Sequence, residues 1–561
     1  MSTSINWSII ATILFSGNGG DTTLQAQGDI QTGDQDTFAY QEGDAGNILN
    51  TSQYGKTETG NIDASANYGD AGEVYLRALL GIISNKINAS TTTGIGGNVT
   101  AISTQDNIQT DSIDTRSQTN QDGQINLIAP KGTIITADLL SSYINQIDQQ
   151  RLEETVELLD ESLTEEFTRK FGQASDRLLT ITDIKKMLGT IATETGQKPA
   201  VIYAIAYPDI TIEGLSFESS LAVILVTPDG KPIVKSIPIE EFSRFNSLIT
   251  DFADHEIKNL KEKKWSAAQE LYQMLITPIE PDLQAAGIDT LMFSVDDRMR
   301  SLPFAALYDG KQFLIEKYQI ALIPSVTLTN ASYESLQDLP VLAMGISDFQ
   351  KFGFDPLPGV SVEIEAITKQ RQGSAFLNQS FTFNNLQTQR QENAYRLIHL
   401  ATHADFSSTK DAYIQLWDRK LRLDSIRELR LYDQPQVELL VLSACKTAIG
   451  NEEAEMGFAG LAFRTGVKTA LASLWKVEDN GTLGLMTEFY SQLSDSKTKA
   501  EALQKAQLAM INGEVQIVDK QLQTSGGSFP LPANLLKQVA DNKDLSHPYY
   551  WASFTLIGSP W

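Results

Sequence analysis

Short runs that are apolar at nearly every position recur along the C-terminal two thirds of the chain. They are Val201–Ala206, Leu221–Val226, Thr290–Val295, Tyr318–Ile323, Pro340–Ile346, Tyr395–His403, Glu438–Cys445, Thr469–Trp475 and Trp551–Ile557. Between them apolar residues repeat at helical spacing, notably over 239–284, 361–370, 479–494 and 498–512. A strand that is apolar on both faces must be covered on both faces. Buried strands alternating with helices therefore predict a mostly parallel sheet in an α/β fold. The turn Thr227-Pro-Asp-Gly230 predicts one hairpin within it.

The first 135 residues are patterned differently. They are rich in Gly, Asp, Asn, Gln, Thr and Ser, and short pieces recur in which Gly precedes a strand with one or two apolar positions: Gly28–Gly33, Gly46–Thr51, Gly60–Ser65, Gly96–Ala101 and Asp122–Ile128. None could bury itself alone, whereas stacked coils could, so a β-solenoid-like repeat region with an irregular spacing of about 15 to 25 residues is predicted for residues 1–135. The apolar run Val74–Ile83 argues against a disordered tail. Residues 136–196 read as a helical linker, with a stripe at Leu152, Val156, Leu159 and Leu163 and an acidic outer face. Asp183 starts a second helix, with Ile184, Met187 and Leu188 on its apolar side. The remainder, 197–561, forms the α/β domain, with a first half over 197–330 and a second over 331–561.

Candidate chemistry changes this picture at two strand ends. Tyr395-Arg-Leu-Ile-His-Leu-Ala-Thr-His403 closes on a histidine, and Glu438-Leu-Leu-Val-Leu-Ser-Ala-Cys445 closes on the chain's one cysteine. Reactive groups in open α/β sheets gather beyond the carboxyl ends of the strands. Cys445 can act there as a thiolate nucleophile and His403 as its general base, later protonating a leaving amine. A lone cysteine by itself is usually a small buried hydrophobe; it is the pairing of two strand ends that points to catalysis. His399 reads as a core histidine, since no ligand cluster accompanies it. His547 reads as an anchor for the last strand and His255 as solvent-facing. No metal site and no cofactor are expected.

Further motifs surround these ends: Ala401-Thr-His403, Leu442-Ser-Ala-Cys-Lys-Thr447, Gly457–Phe463, Ala472-Ser-Leu-Trp475 and His547-Pro-Tyr-Tyr-Trp-Ala552, with Asp297–Leu307 and Leu357-Pro-Gly-Val360 upstream. Together they resemble the CHAT domain, a family of caspase-like proteins of the separase group. The resemblance spans about Pro199 to Trp561. It implies a caspase-hemoglobinase fold, a Cys/His endopeptidase dyad of Cys445 and His403, and an oxyanion hole made by the backbone N–H groups of Ala404 and Cys445. Ala404 departs from the family's common Gly, and Lys446 from the common Glu or Gln. The wider clan draws its S1 pocket from the end of the first core strand and the segment before the cysteine. That implies Asp296, Asp297 and Ser443 as substrate-binding residues, with Asp405 a further candidate; an acid there favours Arg or Lys at P1. No third dyad partner is evident. The N-terminal region resembles the β-helical repeats of filamentous haemagglutinin-type exoproteins.

Composition bounds the rest. A formal net charge of −26 argues against nucleic acid and anionic lipid, and no run is long enough to span a membrane. The apolar start Trp7–Ser16 lacks the basic flank of a signal peptide and reads as a first strand. One cysteine leaves no internal disulfide, which weakly favours a reducing compartment without excluding export. The partner expected at the site is a protein substrate, with a regulatory partner on the N-terminal region. Two function classes stand: a cysteine endopeptidase, and a catalytically silent CHAT module acting as a protein-interaction scaffold. The segment Gly513–Ser546, with Ser525–Ser528, Pro530 and Pro532, is expected to be a mobile insertion.

Overall fold

The structure is a computed structural model. It describes residues 5–11, 20–27, 29–39, 43–103, 108–110, 113–115, 125–128, 134–135, 149–171, 178–207, 210–212, 215–217, 219–239, 242–261, 263–405, 412–422, 425–443, 465–537 and 543–561. The chain divides into two compact units. The first comprises Met1–Ile181, Ala204–Ile224 and Val234–Ser247; the second comprises Thr182–Tyr203, Leu225–Ile233 and Leu248–Trp561.

In the first unit, short strands stack in parallel. Thr22, Ile48, Val74, Val99 and Ile125 stand in register along one wall. Ile30, Thr57, Ile82, Ile108 and Ile134 stand along a second, and Gln35, Ile62, Ile87 and Ile113 along a third. Each step advances 25 to 27 residues, not the 15 to 25 expected. The recurring Gly pieces belong to different walls: Ile30 lies on the second, Ile48 and Val99 on the first, Ile62 on the third. Read as one series, they gave too short a period. Ile48, Val74 and Val99 point inward and are buried.

The backbones approach closely at the corners. A Cβ on Gly46 would lie 2.5 Å from the Gly20 carbonyl oxygen, on Gly72 2.0 Å from that of Gly46, and on Gly97 2.1 Å from that of Gly72. Only glycine fits this column. Side chains tie successive coils. Asp44 Oδ1 accepts the Asp70 N–H at 2.9 Å, and Asp70 Oδ1 accepts the Ile95 N–H at 2.7 Å. The wall at Ile125 is extended by Ile210–Ile212 and then, antiparallel, by Leu215–Phe217. These two strands were expected inside the α/β domain. The helix Gln149–Phe171 buries the predicted stripe Leu152, Val156, Leu159 and Leu163.

The second unit is organised by one sheet. Among its strands are β1 (Pro199–Tyr207, of which Pro199–Tyr203 lie in this unit), β2 (Thr290–Val295), β3 (Gln319–Leu322), β4 (Val341–Gly345), β5 (Gly373–Leu377), β6 (Leu397–Ala401), β7 (Leu439–Ser443), β8 (Thr469–Ser473) and β9 (Phe554–Gly558). From β1 onward their order is β1-β2-β3-β9-β8-β7-β6-β4-β5. Strands β4 to β8 run parallel to their neighbours, and β9 is antiparallel to β8. Strands β4, β6, β7 and β8 are buried throughout, as their unbroken apolar runs predict. Helices α1 (Gly359–Gln370), α2 (Asp479–Leu493) and α3 (Lys499–Ile511) follow in sequence. α1 packs on β4 and β5, α2 lies between α1 and α3, and α3 lies against β3.

The segment expected as a mobile insertion is folded. Gln516–Val518, Gln521–Thr524, Gly527–Pro530 and Lys543–Asp544 form a four-stranded antiparallel sheet. Ile517 and Leu522 are buried, and Gly484 of α2 leaves room for Val515, Leu522 and Leu545. Pro530 sits at the last position of its strand, where a missing N–H is tolerated. Among the described residues, no helix is long and apolar enough to cross a membrane.

Candidate active site

The parallel register of β6 and β7 aligns Leu397 with Leu439 and Ala401 with Ser443. The chain after both strands therefore emerges at one end of the sheet. The Thr402 N–H donates to the Ser443 carbonyl at 3.3 Å, holding the two ends together. His403 follows directly. Its main chain is fixed by the Gln415 N–H, which donates to the His403 carbonyl at 2.9 Å. Ser443 is the last described residue of its strand. Cys445, Lys446 and the motif Gly457–Phe463 lie outside the described residues.

The imidazole of His403 is half-buried. Phe349 packs 4.4 Å from its centroid and Phe354 5.5 Å. Nε2 lies 2.9 Å from the main-chain carbonyl of Asp355. A carbonyl can only accept, so this bond places the proton on Nε2 and leaves the Nδ1 lone pair open. Burial, the largest influence, lowers the His403 pKa below its ordinary 6.5; the Asp355 carbonyl opposes this and the Lys476 charge adds to it.

A cavity of about 30 Å³ opens beside His403, lined by Ser443, Glu363 and Asp479 among others. Glu363, on α1, is almost wholly buried. Its Oε1 lies 3.0 Å from Nε2 of His399, which is itself fully buried on β6. His399 is thus a core residue, partnered by a carboxylate that also faces the cavity. Asp479 opens α2, and its Oδ2 accepts the Gly359 N–H at the start of α1 at 2.5 Å. A Cβ on Gly359 would stand 2.8 Å from that oxygen, so glycine is needed for this contact. Burial is the main cause that pushes the Asp479 carboxyl up to about 7, with the charge of Glu363 adding to it against the Gly359 bond.

The other predicted residues are placed elsewhere. Asp296 caps a 3-10 turn after β2, accepting the Arg298 N–H at 3.1 Å, and both Asp296 and Asp297 lie within 4 Å of the Arg298 guanidinium. Neither lines the cavity, and β2 is separated from β7 by β3, β9 and β8. The strand on the far side of the histidine strand is β4, not β2. Asp405 stands opposite Tyr413 in a small antiparallel sheet and is not a lining residue. Ala404 is buried opposite Ile414. His547 accepts the Tyr549 N–H at 3.2 Å near the last strand, and His255 is exposed beside Asp251.

Three contributors escaped the sequence reading. Glu363 lies within an ordinary helix pattern, and Asp479 looks like a helix start. The Asp355 carbonyl carries no residue signature at all. Among the described residues no group of His, Cys, Asp and Glu could hold a metal ion.

The solved structures similar to this chain include two Saccharomyces cerevisiae separase–securin complexes. The one at 3.0 Å resolution matches at 10% identity over 76% of this chain and 36% of that chain, with a TM-score of 0.43. The one at 2.6 Å matches at 10% identity over 76% and 27%, with a TM-score of 0.30. The chain thus spans about a third of the length of these relatives. No curated protein matches it. The CHAT domain model matches residues 266–559, which carry β2 to β9 and the histidine strand end. That match covers more than half of the sequence, and the chain belongs to the CHAT domain family.

Proposed function

We propose that this chain is a cysteine endopeptidase. The observation that carries the reading is the paired strand ends: Ala401 opposite Ser443, with His403 and Ser443 lining one cavity two residues before Cys445. Nδ1 of His403, left free by the Asp355 carbonyl, takes the thiol proton of Cys445. The thiolate attacks the scissile carbonyl carbon, and the backbone N–H groups of Ala404 and Cys445 receive the developing oxyanion. The C–N bond breaks as the imidazolium returns its proton to the leaving amine. Water, deprotonated by the same imidazole, then hydrolyses the thioester. The lowered pKa of His403 keeps it neutral at neutral pH.

The carboxyls at the cavity are Glu363 and Asp479 rather than Asp296 and Asp297. Glu363 and, above about pH 7, Asp479 together with Ser443 favour a basic P1 side chain through charge-assisted hydrogen bonds, opposed by the Lys476 ammonium at the same cavity. The stacked parallel strands of the first unit are read as a β-solenoid of the haemagglutinin type that binds a regulatory partner.

The test is a comparison of new protein N-termini produced by wild type and Cys445→Ala, together with the rate at which iodoacetamide labels Cys445 in the native protein. New termini following Arg or Lys, absent with the variant, and labelling faster than that of a free thiol are expected. No new termini and slow labelling would leave the silent scaffold as the better reading. The acid limb of kcat/KM should fall below 6.5, the ordinary histidine value, because protonation of a desolvated imidazole requires more acid.

A further inference from the structure

His403 stands between two different surfaces. On its β7 side lie Ser443 and the cavity lined by Glu363, Asp479 and Lys476. On its β4 side lies the loop that follows β4, which brings Phe349 and Phe354 against the imidazole. Beyond them the surface is aromatic and cationic. Phe352 meets Trp417 edge-on at 5.6 Å. The Lys351 ammonium lies 5.2 Å from the Phe352 ring and 5.1 Å from the Trp417 ring, and donates to the Trp417 carbonyl at 3.2 Å. The Lys420 ammonium lies 3.9 Å from the Tyr413 ring and 6.0 Å from that of Phe354. Both lysines are exposed, and the rings beneath them are partly so.

Laying an ammonium on a ring face fixes its position and leaves its remaining N–H groups outward. Among the described residues neither lysine pairs with a carboxylate. Of the nearby acids, Asp355 faces Lys476 at 3.8 Å, Asp418 faces Arg419 at 3.1 Å, and Asp405 stands opposite Tyr413, whose ring carries Lys420. Two ammonium groups are thereby fixed on rings near the histidine. We propose that this patch is a subsite for an acidic side chain of the protein substrate, on the leaving-group side of the scissile bond. Its orientation rests on the peptidase reading. His403 protonates the leaving amine, so the chain beyond the cut departs over the histidine and onto the β4 side. An acidic residue there meets Lys351 and Lys420, and an apolar neighbour meets the exposed edges of Phe352 and Trp417.

Binding is measured with the full-length Cys445→Ala protein and two fluorescent dodecapeptides, one carrying Asp, Glu and Phe, the other with Lys in place of the acids. The acidic peptide should bind about fivefold tighter at low salt, the size of one partly exposed ion pair, and the advantage should shrink as salt rises. It should vanish in Lys351→Gln/Lys420→Gln and reverse in Lys351→Glu/Lys420→Glu, both retaining the wild-type circular dichroism. Equal affinity for the two peptides, or a preference unchanged in the double variants, overturns the proposal whether or not the protein is active. Turnover of a peptide library by the unsubstituted chain is the second arm. Products should begin with Asp or Glu within their first three residues. Cleavage without that enrichment also counts against the patch, whereas absence of any cleavage counts against the peptidase reading alone and leaves the binding result to decide.

Discussion

The stacked strands of the first unit and the sheet of the second are both mostly parallel and both largely buried, yet they use sequence in opposite ways. In the stack, each position has counterparts a coil away: Ile48, Val74 and Val99 do the same work, as do Gly46, Gly72 and Gly97. Stability is shared along the column, and no position is unique. In the sheet, each strand end occurs once. His403 has one carbonyl partner, and Glu363 one buried histidine. Redundancy gives the first unit tolerance, while singularity gives the second its points of failure.

This contrast can be broken in four ways. The largest effect belongs to the singular positions. His403→Ala and Cys445→Ala should each lower peptide turnover about a thousandfold or more, with the melting transition nearly unchanged; a lost transition would mean that these residues hold the fold. Next is the glycine column. Gly72→Val forces a side chain onto the Gly46 carbonyl and should destabilise the first unit by about 3 kcal/mol, seen as faster proteolysis within residues 43–103 and normal protection of the sheet. If both units loosen together, they are not separate cooperative bodies.

The third effect is pH-dependent. The Asp479 carboxyl is raised from 3.8 to about 7, so the folded state holds its proton more tightly than the unfolded chain. That contribution to stability is fully present below about 4 and is lost as pH rises to 7. Asp479→Asn keeps an acceptor for the Gly359 N–H without the charge. It should stabilise the protein by about 1–2 kcal/mol above pH 7, with the gain shrinking as pH falls towards 4, as urea unfolding at pH 4.5 and pH 8 would register. The smallest effect returns to the stack. Asp44→Ala removes one rung, the bond to the Asp70 N–H, worth about 1 kcal/mol. Amide exchange should quicken at Asp70 and leave Ile95 nearly unaffected, since Asp70 still accepts its N–H.

What the sequence disclosed follows from the same contrast. Strands β4, β6, β7 and β8 were legible because burial on both faces demands unbroken apolar runs. The histidine strand end was legible because it joins a buried run to a reactive side chain. The repeat of the first unit was visible but its period was not, since three walls each contribute a similar Gly-led piece per coil. Residues 513–546 misled through Gly and Pro, although Ile517 and Leu522 carry the apolar positions of a small sheet. The distance of Asp296 and Asp297 from the histidine strand end was not legible, because strand order in space, β2 to β3 to β9, does not follow strand order in the chain. Glu363 and Asp479 needed the helices α1 and α2 brought together before either could be recognised.

The bond from His403 to the Asp355 carbonyl has a further consequence. A main-chain acceptor cannot be deleted by exchanging a side chain, so residue 355 is free to drift between relatives while its contribution persists. Alanine scanning would pass over it in silence. The contact depends instead on the path of the loop between β4 and α1, tied down where the Leu357 N–H meets the Ser347 carbonyl and where Asn378 Oδ1 accepts the Ser347 N–H. A ligand that shifted this loop by about an ångström would free Nε2, and with it the tautomer of the histidine, without touching the imidazole itself.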